Sequence, residues 1–179
     1  TLVQSSLDYA PAAVTVVDGD RLRDRQWQVN LSEAMSSTPG LLLQNRQNYA
    51  QDLQLSIRGH GASSTFGVRG VQIFVDGIPA TMPDGQGQAN SIDLQSVERI
   101  EVLKDGASAV YGSDAVAGVV NIITRQDYQG LEIGGTAGLS GEGDMGTQSF
   151  KAVGGVGDLA NEGWNVLFSV EGYNRERLD

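Results

Sequence analysis

His60 is the single histidine of a 179-residue chain that has no cysteine. Imidazole chemistry would therefore need distant partners, and no His/Asp/Glu ligand spacing surrounds it to build a metal site. No Gly-x-Ser-x-Gly elbow supplies a nucleophile for it to activate. Asp76 and Asp84 lack the Asp-x-Asp-x-Asp-Gly pattern of a calcium loop. Gly85-Gln-Gly87 is too short for a phosphate-binding fingerprint, and no helix clearly follows it. The residues thus predict neither catalytic nor metal chemistry. What remains is binding chemistry carried by two polar, glycine-rich stretches, 59–70 (GHGASSTFGVRG) and 77–90 (GIPATMPDGQGQAN). Long irregular loops on a compact scaffold are more often functional than not.

Short, regular elements must position those loops. Residues 12–18 (AAVTVVD) are β-branched and apolar, the pattern of a short buried strand. Asp18-Gly-Asp20 gives a helix start, followed by the polar stretch Arg21–Gln26. A second helix is predicted from Asn30, where Asn30-x-x-Glu33 has capping-box spacing and Leu31, Ala34 and Met35 form an apolar stripe that Pro39-Gly40 ends. Leu41–Gln44 resumes as a strand. Three apolar or alternating runs then each close on a charged residue and glycine: Leu53–Arg58-Gly59, Val71–Asp76-Gly77 and Arg99–Asp105-Gly106. A helical turn at Ala107–Gly112 and an apolar strand at Gly118–Thr124 complete this region.

After Arg125 the texture changes. Leu131–Leu139, Ser149–Gly157 and Trp164–Tyr173 are runs of about ten residues divided by polar turns, a length that crosses a bilayer when tilted. In the third, Trp164, Val166, Phe168 and Val170 fall on one face, and Asn165, Ser169 and Glu171 on the other. Spacing alone fits either a transmembrane barrel strand or a meander with one face on a soluble core. No apolar run reaches the roughly 18–20 residues of a spanning helix. No basic segment followed by an apolar stretch stands at the start, so any secretory leader is expected to have been removed or never present. Three strands cannot stand alone in a membrane, where only closure satisfies every backbone group. The barrel reading therefore expects a sequence cut part-way, within the charged run 174–179.

A net charge of −10 and a pI near 4.4 argue against a nucleic-acid partner, which would need a basic face for phosphate. Twenty-four glycines against four prolines indicate tight turns and close backbone approaches.

The motifs Thr38-Pro-Gly40, Ser56-Ile-Arg-Gly59, Phe74-Val-Asp-Gly-Ile-Pro79, Val97-Glu-Arg-Ile-Glu-Val-Leu-Lys104 and Ala109-Val-Tyr-Gly-Ser-Asp-Ala-Val-Ala-Gly-Val-Val-Asn-Ile-Ile-Thr-Arg125 stand in a fixed order. In that order, over about residues 8–125, the chain resembles the plug domains of TonB-dependent outer-membrane receptors. Residues 126–173 are similar to the opening barrel strands of the same proteins. Within the family, residues 45–59 and 66–88 look most like the pyrroloquinoline quinone receptor subgroup. The stretch Lys104-Asp-Gly-Ala-Ser108 departs from that subgroup's Gly-Pro-Phe turn, and Tyr111–Arg125 follows the wider siderophore and cobalamin receptor pattern.

The resemblance implies a fold: an α+β plug of small mixed sheet, short helices and long apical loops, followed by the first antiparallel strands of a transmembrane β-barrel. It implies three parts: an N-terminal remnant 1–7 with the partner-binding box absent or incomplete (Thr1-Leu-Val3), a plug 8–126, and about three barrel strands in 127–179. It implies a function: energised uptake through the cell outer membrane, with the TonB-ExbB-ExbD complex of the inner membrane as partner, a small-molecule ligand, outer-membrane lipid around the barrel, and no covalent change to the cargo. No resident cofactor is expected. The expected cargo is pyrroloquinoline quinone, with a ferric siderophore or cobalamin-like ligand as the alternative. Loops 45–52, 60–68 and 80–90 become plug apices, offering Arg46, Asn48, Tyr49, His60, Ser63, Thr65, Phe66, Met82, Asp84, Gln86 and Gln88 to a ligand. Arg58, Arg69, Glu98, Arg99, Glu101 and Lys104 become contacts to the barrel wall; on residues alone they also fit a solvated sheet edge. Two readings of other classes stand beside this one: a soluble structural β-protein, and a hydrolase using serine, His60 and a carboxylate.

Overall fold

The computed structural model describes residues 13–23, 31–36, 38–44, 53–62, 64, 67–82, 85–87, 92–104, 111–112, 115–139 and 146–175, the side chains of Ala34 and Leu139 excepted. The chain divides into two compact units, Thr1–Thr124 and Arg125–Asp179.

The first unit is built on strands β1 (Ala13–Asp18), β2 (Leu41–Gln44), β3 (Gln54–Ile57), β4 (Val71–Val75), β5 (Ile78–Pro79), β6 (Val97–Lys104) and β7 (Gly118–Thr124), with helices α1 (Gly19–Arg23) and α2 (Leu31–Met35). Five strands form one mixed sheet in the order β1-β6-β7-β4-β5, and β2 pairs with β3 as a separate ribbon. Among the described strands only β4 and β7 run parallel. Alternation decides the faces of β6: Ile100 and Val102 point to the core, whereas Arg99 and Glu101 point away. A bulge between Val97 and Arg99 shifts the register by one, so Val97 rather than Glu98 fills the core. The core closes where these side chains and Ile73, Val120 and Ile122 meet Leu22, Leu31 and Met35 of the helices and Leu41, Leu55 and Ile57 of the ribbon. Each such side chain contributes about 1.5–3 kcal/mol through burial. A smaller cluster of Ala115 and Val119, joined by Phe74, Leu103 and Tyr111, forms separately.

The charged-residue-and-glycine repeat is turn chemistry. Arg58 and Gly59 have φ of 49° and 87°, and Asp76 and Gly77 have φ of 50° and 80°. Two consecutive positive-φ residues are what a two-residue type I′ hairpin turn requires. The first closes Ile57 onto His60 through paired backbone bonds of 3.0 and 2.9 Å, and the second closes Val75 onto Ile78. The third, Asp105-Gly106, lies outside the described residues, as do Asn30 of the capping box, most of the helical turn 107–112, and Thr1-Leu-Val3. Pro39 and Gly40 (φ 75°) occupy the middle of a turn closed by Leu41 N on Thr38 O at 3.2 Å, the type II arrangement.

The second unit is an antiparallel meander of β8 (Gly130–Leu139), β9 (Gly146–Val156) and β10 (Val166–Arg175). Residues in register share a face. One face carries the rows Leu131–Gly154–Phe168, Ile133–Ala152–Val170 and Gly135–Phe150–Gly172. The other carries Glu132–Val153–Ser169, Gly134–Lys151–Glu171 and Thr136–Ser149–Tyr173. Leu131, Ile133, Phe150, Val166, Phe168 and Val170 are all exposed, so the apolar face covers no core of its own.

In the second unit two strand starts differ from the sequence expectation by two residues or more, and β10 also runs on to Arg175. β9 begins at Gly146, because Gly146 and Thr147 complete the pairing with Leu139 and Gly138. Both faces turn polar there, which erases the alternation that marks a strand. β10 begins at Val166: Asn165 is held in the preceding turn, its Nδ2 donating to Tyr128 O and Gly157 O at 3.0 Å each.

Candidate functional site at the plug apices

Of the loops named by the sequence, the described parts of 60–68 and 80–90 meet at one end of the first unit's sheet, and 45–52 lies outside the described residues. β5 doubles back along β4, and Ala80 N donates to Ile73 O at 2.8 Å. Residues 81, 82 and 85–87 therefore sit at the start of β4, at the end of the sheet away from Thr124. There Gly87 and Val68 exchange backbone bonds of 2.9 and 3.0 Å, and Gly87 also bridges Thr81. The 60s and 80s loops are thus one body, joined through Gly87. Met82 N donates to Gln86 O at 2.7 Å and Gly85 N to Met82 O at 2.9 Å, closing a tight turn that leaves Met82 exposed and Gln86 half-buried.

The 60s loop is fastened from below. Gln54 on β3 donates its side-chain amide to Ala62 O and, at 3.1 Å, to Ser64 O. Ser64 Oγ in turn donates to Gly67 O at 3.1 Å. His60 stands exposed just before this turn, its backbone committed to Ile57. Of the eleven ligand candidates, His60, Met82 and Gln86 are therefore placed. Arg46, Asn48, Tyr49, Ser63, Thr65, Phe66, Asp84 and Gln88 lie outside the described residues.

The charged group divides in three. Glu98, Arg99 and Glu101 bind one another: Arg99 Nη1 donates to Glu98 Oε1 and Nε to Glu101 Oε1, both at 3.0 Å. Asn121 Nδ2 from β7 completes the chain on Glu101 Oε2 at 3.2 Å. Asn121 Oδ1 and Gln72 Oε1 are buried and, among the described residues, have no hydrogen-bond partner. Arg58 and Arg69 are exposed at the ends of the 60s loop. Lys104 corrects the expectation of a charge turned to the barrel wall. It shares the inward face with Ile100 and Val102, is only 7% exposed, and donates Nζ to Pro39 O. It is an internal strut between β6 and the turn that launches the ribbon.

Sequence reasoning passed over Gln54, Asn121 and the structural role of Asp76. Asp76 accepts Thr124 N at 2.9 Å on Oδ1 and Thr124 Oγ1 at 2.6 Å on Oδ2, fastening the hairpin turn to the last residue of β7. The Asp-Gly pair that marked the turn was visible; its partner 48 residues away was not.

A small mixed sheet with bound apical loops, followed by a meander with one apolar and one polar face, defines an outer-membrane receptor plug with barrel-like strands after it. The family described as TonB-dependent Receptor Plug Domain matches residues 6–119, and the chain belongs to it. The chain is 37% identical over 128 residues to the iron-regulated outer membrane virulence protein of Vibrio cholerae, covering 67% of this chain and 18% of that one. It is 34% identical over 137 residues to the ferric enterobactin receptor PirA of Pseudomonas aeruginosa, covering 69% and 18%. The siderophore receptor PirA of Acinetobacter baumannii superposes with a TM-score of 0.56 at 26% identity, over 79% of this chain and 22% of that one. The chain thus spans about a fifth of the length of these relatives. Its place is the cell outer membrane.

Proposed function

We propose that this chain is the plug and opening barrel strands of a receptor that takes up a ferric siderophore, driven by TonB of the inner-membrane TonB-ExbB-ExbD complex. The observation that carries the cargo is the naming of its relatives: the same plug stretch matches proteins named for iron regulation and for ferric enterobactin. The quinone reading rests on the resemblance of residues 45–88 alone, so the siderophore alternative takes its place.

The apical chemistry suits such a ligand. A ferric catecholate complex is anionic and aromatic, so it is held by cations, amide donors and flat or thioether surface. Arg46, Asn48, Tyr49, His60, Ser63, Thr65, Phe66, Met82, Asp84, Gln86 and Gln88 are the proposed contacts, with no resident cofactor and no bond made or broken in the cargo. Arg58, Arg69 and the Glu98–Arg99–Glu101 chain are proposed to meet the barrel wall.

The test is equilibrium binding by the full-length receptor of ferric enterobactin against pyrroloquinoline quinone, with uptake measured in cells with and without TonB. Iron-complex binding and TonB-dependent uptake are expected. Quinone binding without iron-complex binding would reverse the assignment. Arg46→Ala and Tyr49→Ala are expected to lower uptake without altering plug folding.

A further inference from the structure

We infer that Gln54 is a positioning residue for ligand capture: by holding the backbone of Ala62 and Ser64 it sets the shape of the apical turn that follows His60. The inference rests on the receptor reading above, which makes these loops the place where ligand lands.

The argument starts with strand alternation. Leu53, Leu55 and Ile57 are buried in the core, so Gln54 projects from the opposite face of β3, toward the loop that β3 leads into. A primary amide has two N–H donors. Both meet carbonyls of one turn, Ala62 O and Ser64 O. A hydrogen bond to a single carbonyl leaves a turn free to pivot, whereas two acceptors two residues apart fix its orientation. Ser64 then passes the constraint on, its hydroxyl bonded to Gly67 O at 3.1 Å. Val68, the next residue, is paired on both sides with Gly87 of the 80s loop. One side chain therefore sits at the root of a connected series running from β3 through Ala62 and Ser64, then 67–68, to Gly87. Binding to a preordered surface avoids the cost of ordering loops at the moment of contact.

Two substitutions separate shape from chemistry. Gln54→Glu keeps the outline and replaces the donors with a carboxylate facing two carbonyl oxygens. Gln54→Met keeps the length and removes the polarity. In the purified full-length receptor, with ferric enterobactin as probe, both variants are expected to weaken binding about tenfold, Gln54→Glu the more. The loss should fall mainly in the association rate, with the unfolding temperature held near that of the wild type. Amide hydrogen exchange of residues 61–64 without ligand should rise in both.

Binding of both variants within twofold of the wild type would overturn the inference, as would a loss that simply tracks a fall in unfolding temperature. Should the wild type itself fail to bind ferric enterobactin, the receptor assignment for that cargo fails separately. Exchange then decides for Gln54: raised exchange at 61–64 keeps it as the residue that shapes the turn, and unchanged exchange removes it.

Discussion

Asp76 combines two demands in one residue. It adopts φ of 50° in the hairpin turn, and its carboxylate takes both the amide and the hydroxyl of Thr124. Asparagine tolerates that backbone region and keeps one acceptor, whereas alanine meets a steric cost of about 1–2 kcal/mol there and keeps none. Asp76→Ala should therefore raise amide exchange at Thr124 in the intact receptor about tenfold or more, with Asp76→Asn in between. Equal exchange in all three proteins would show that the carboxylate does not hold the end of β7. Asp158 makes a comparable device in the turn between β9 and β10, where Asn161 donates its side-chain amide at 2.7 Å and its backbone amide at 2.8 Å. Those two bonds, the side-chain one first, hold the Asp158 carboxyl below its ordinary value of 3.8. A depressed carboxylate stabilises the fold above its unfolded pKa, and that contribution disappears as pH falls through the lower folded value. The turn should accordingly persist through mild acid and loosen only below about pH 3.8, the ordinary carboxylate value. A carboxyl titration of Asp158 by NMR with its midpoint at or above 3.8 would contradict this.

At the scale of elements, what the sequence made legible was local. The charged-residue–glycine pairs announce turns through their glycines, and at Asp76 through the aspartate, which accept positive φ where Arg58 has no such preference, and β-branched runs announce strands. Lys104 was misread because its charge outweighed its position; the alternation with Ile100 and Val102, already visible, turns it inward. Which carbonyls Gln54 would meet depends on how the loop after β3 folds back, and that Asn121 would reach Glu101 depends on strand order, neither of which the local pattern carries. Glycines in β9 show the same limit, since their role is set by what lies across the sheet. A Cβ on Gly154 would stand 2.1 Å from the tip of the Phe168 ring, and one on Gly155 would stand 2.0 Å from Tyr128 O. Phe168 is half exposed and its ring can swing away, but a backbone carbonyl can move only with its chain. Gly155→Ala should therefore lower the yield of correctly folded receptor in detergent severalfold, while Gly154→Ala costs much less. Matching yields would mean that the segment before β8 yields as easily as a side chain.

For the whole molecule, the two faces of the β8–β10 meander decide what surrounds it. A soluble meander would bury its apolar face, yet Ile133 is 66% and Val170 58% exposed, and their row continues across all three strands through Ala152. The neighbouring positions on the opposite face, Ser169 and Glu171, stand in rows with Lys151 and Glu132. Such a sheet is satisfied only when lipid covers one side and a polar interior the other. That assignment distinguishes adjacent residues of a single strand. Val170→Arg would place a guanidinium in hydrocarbon, at a cost of about 2–4 kcal/mol near the bilayer midplane, whereas Ser169→Arg would place it among polar groups. In the full-length receptor folded into lipid vesicles, Val170→Arg is expected to reduce folding efficiency sharply and Ser169→Arg to leave it near wild type. The reverse order would mean that the polar face meets lipid, and equal tolerance would mean that neither face does, leaving the meander to pack as a soluble β-protein would.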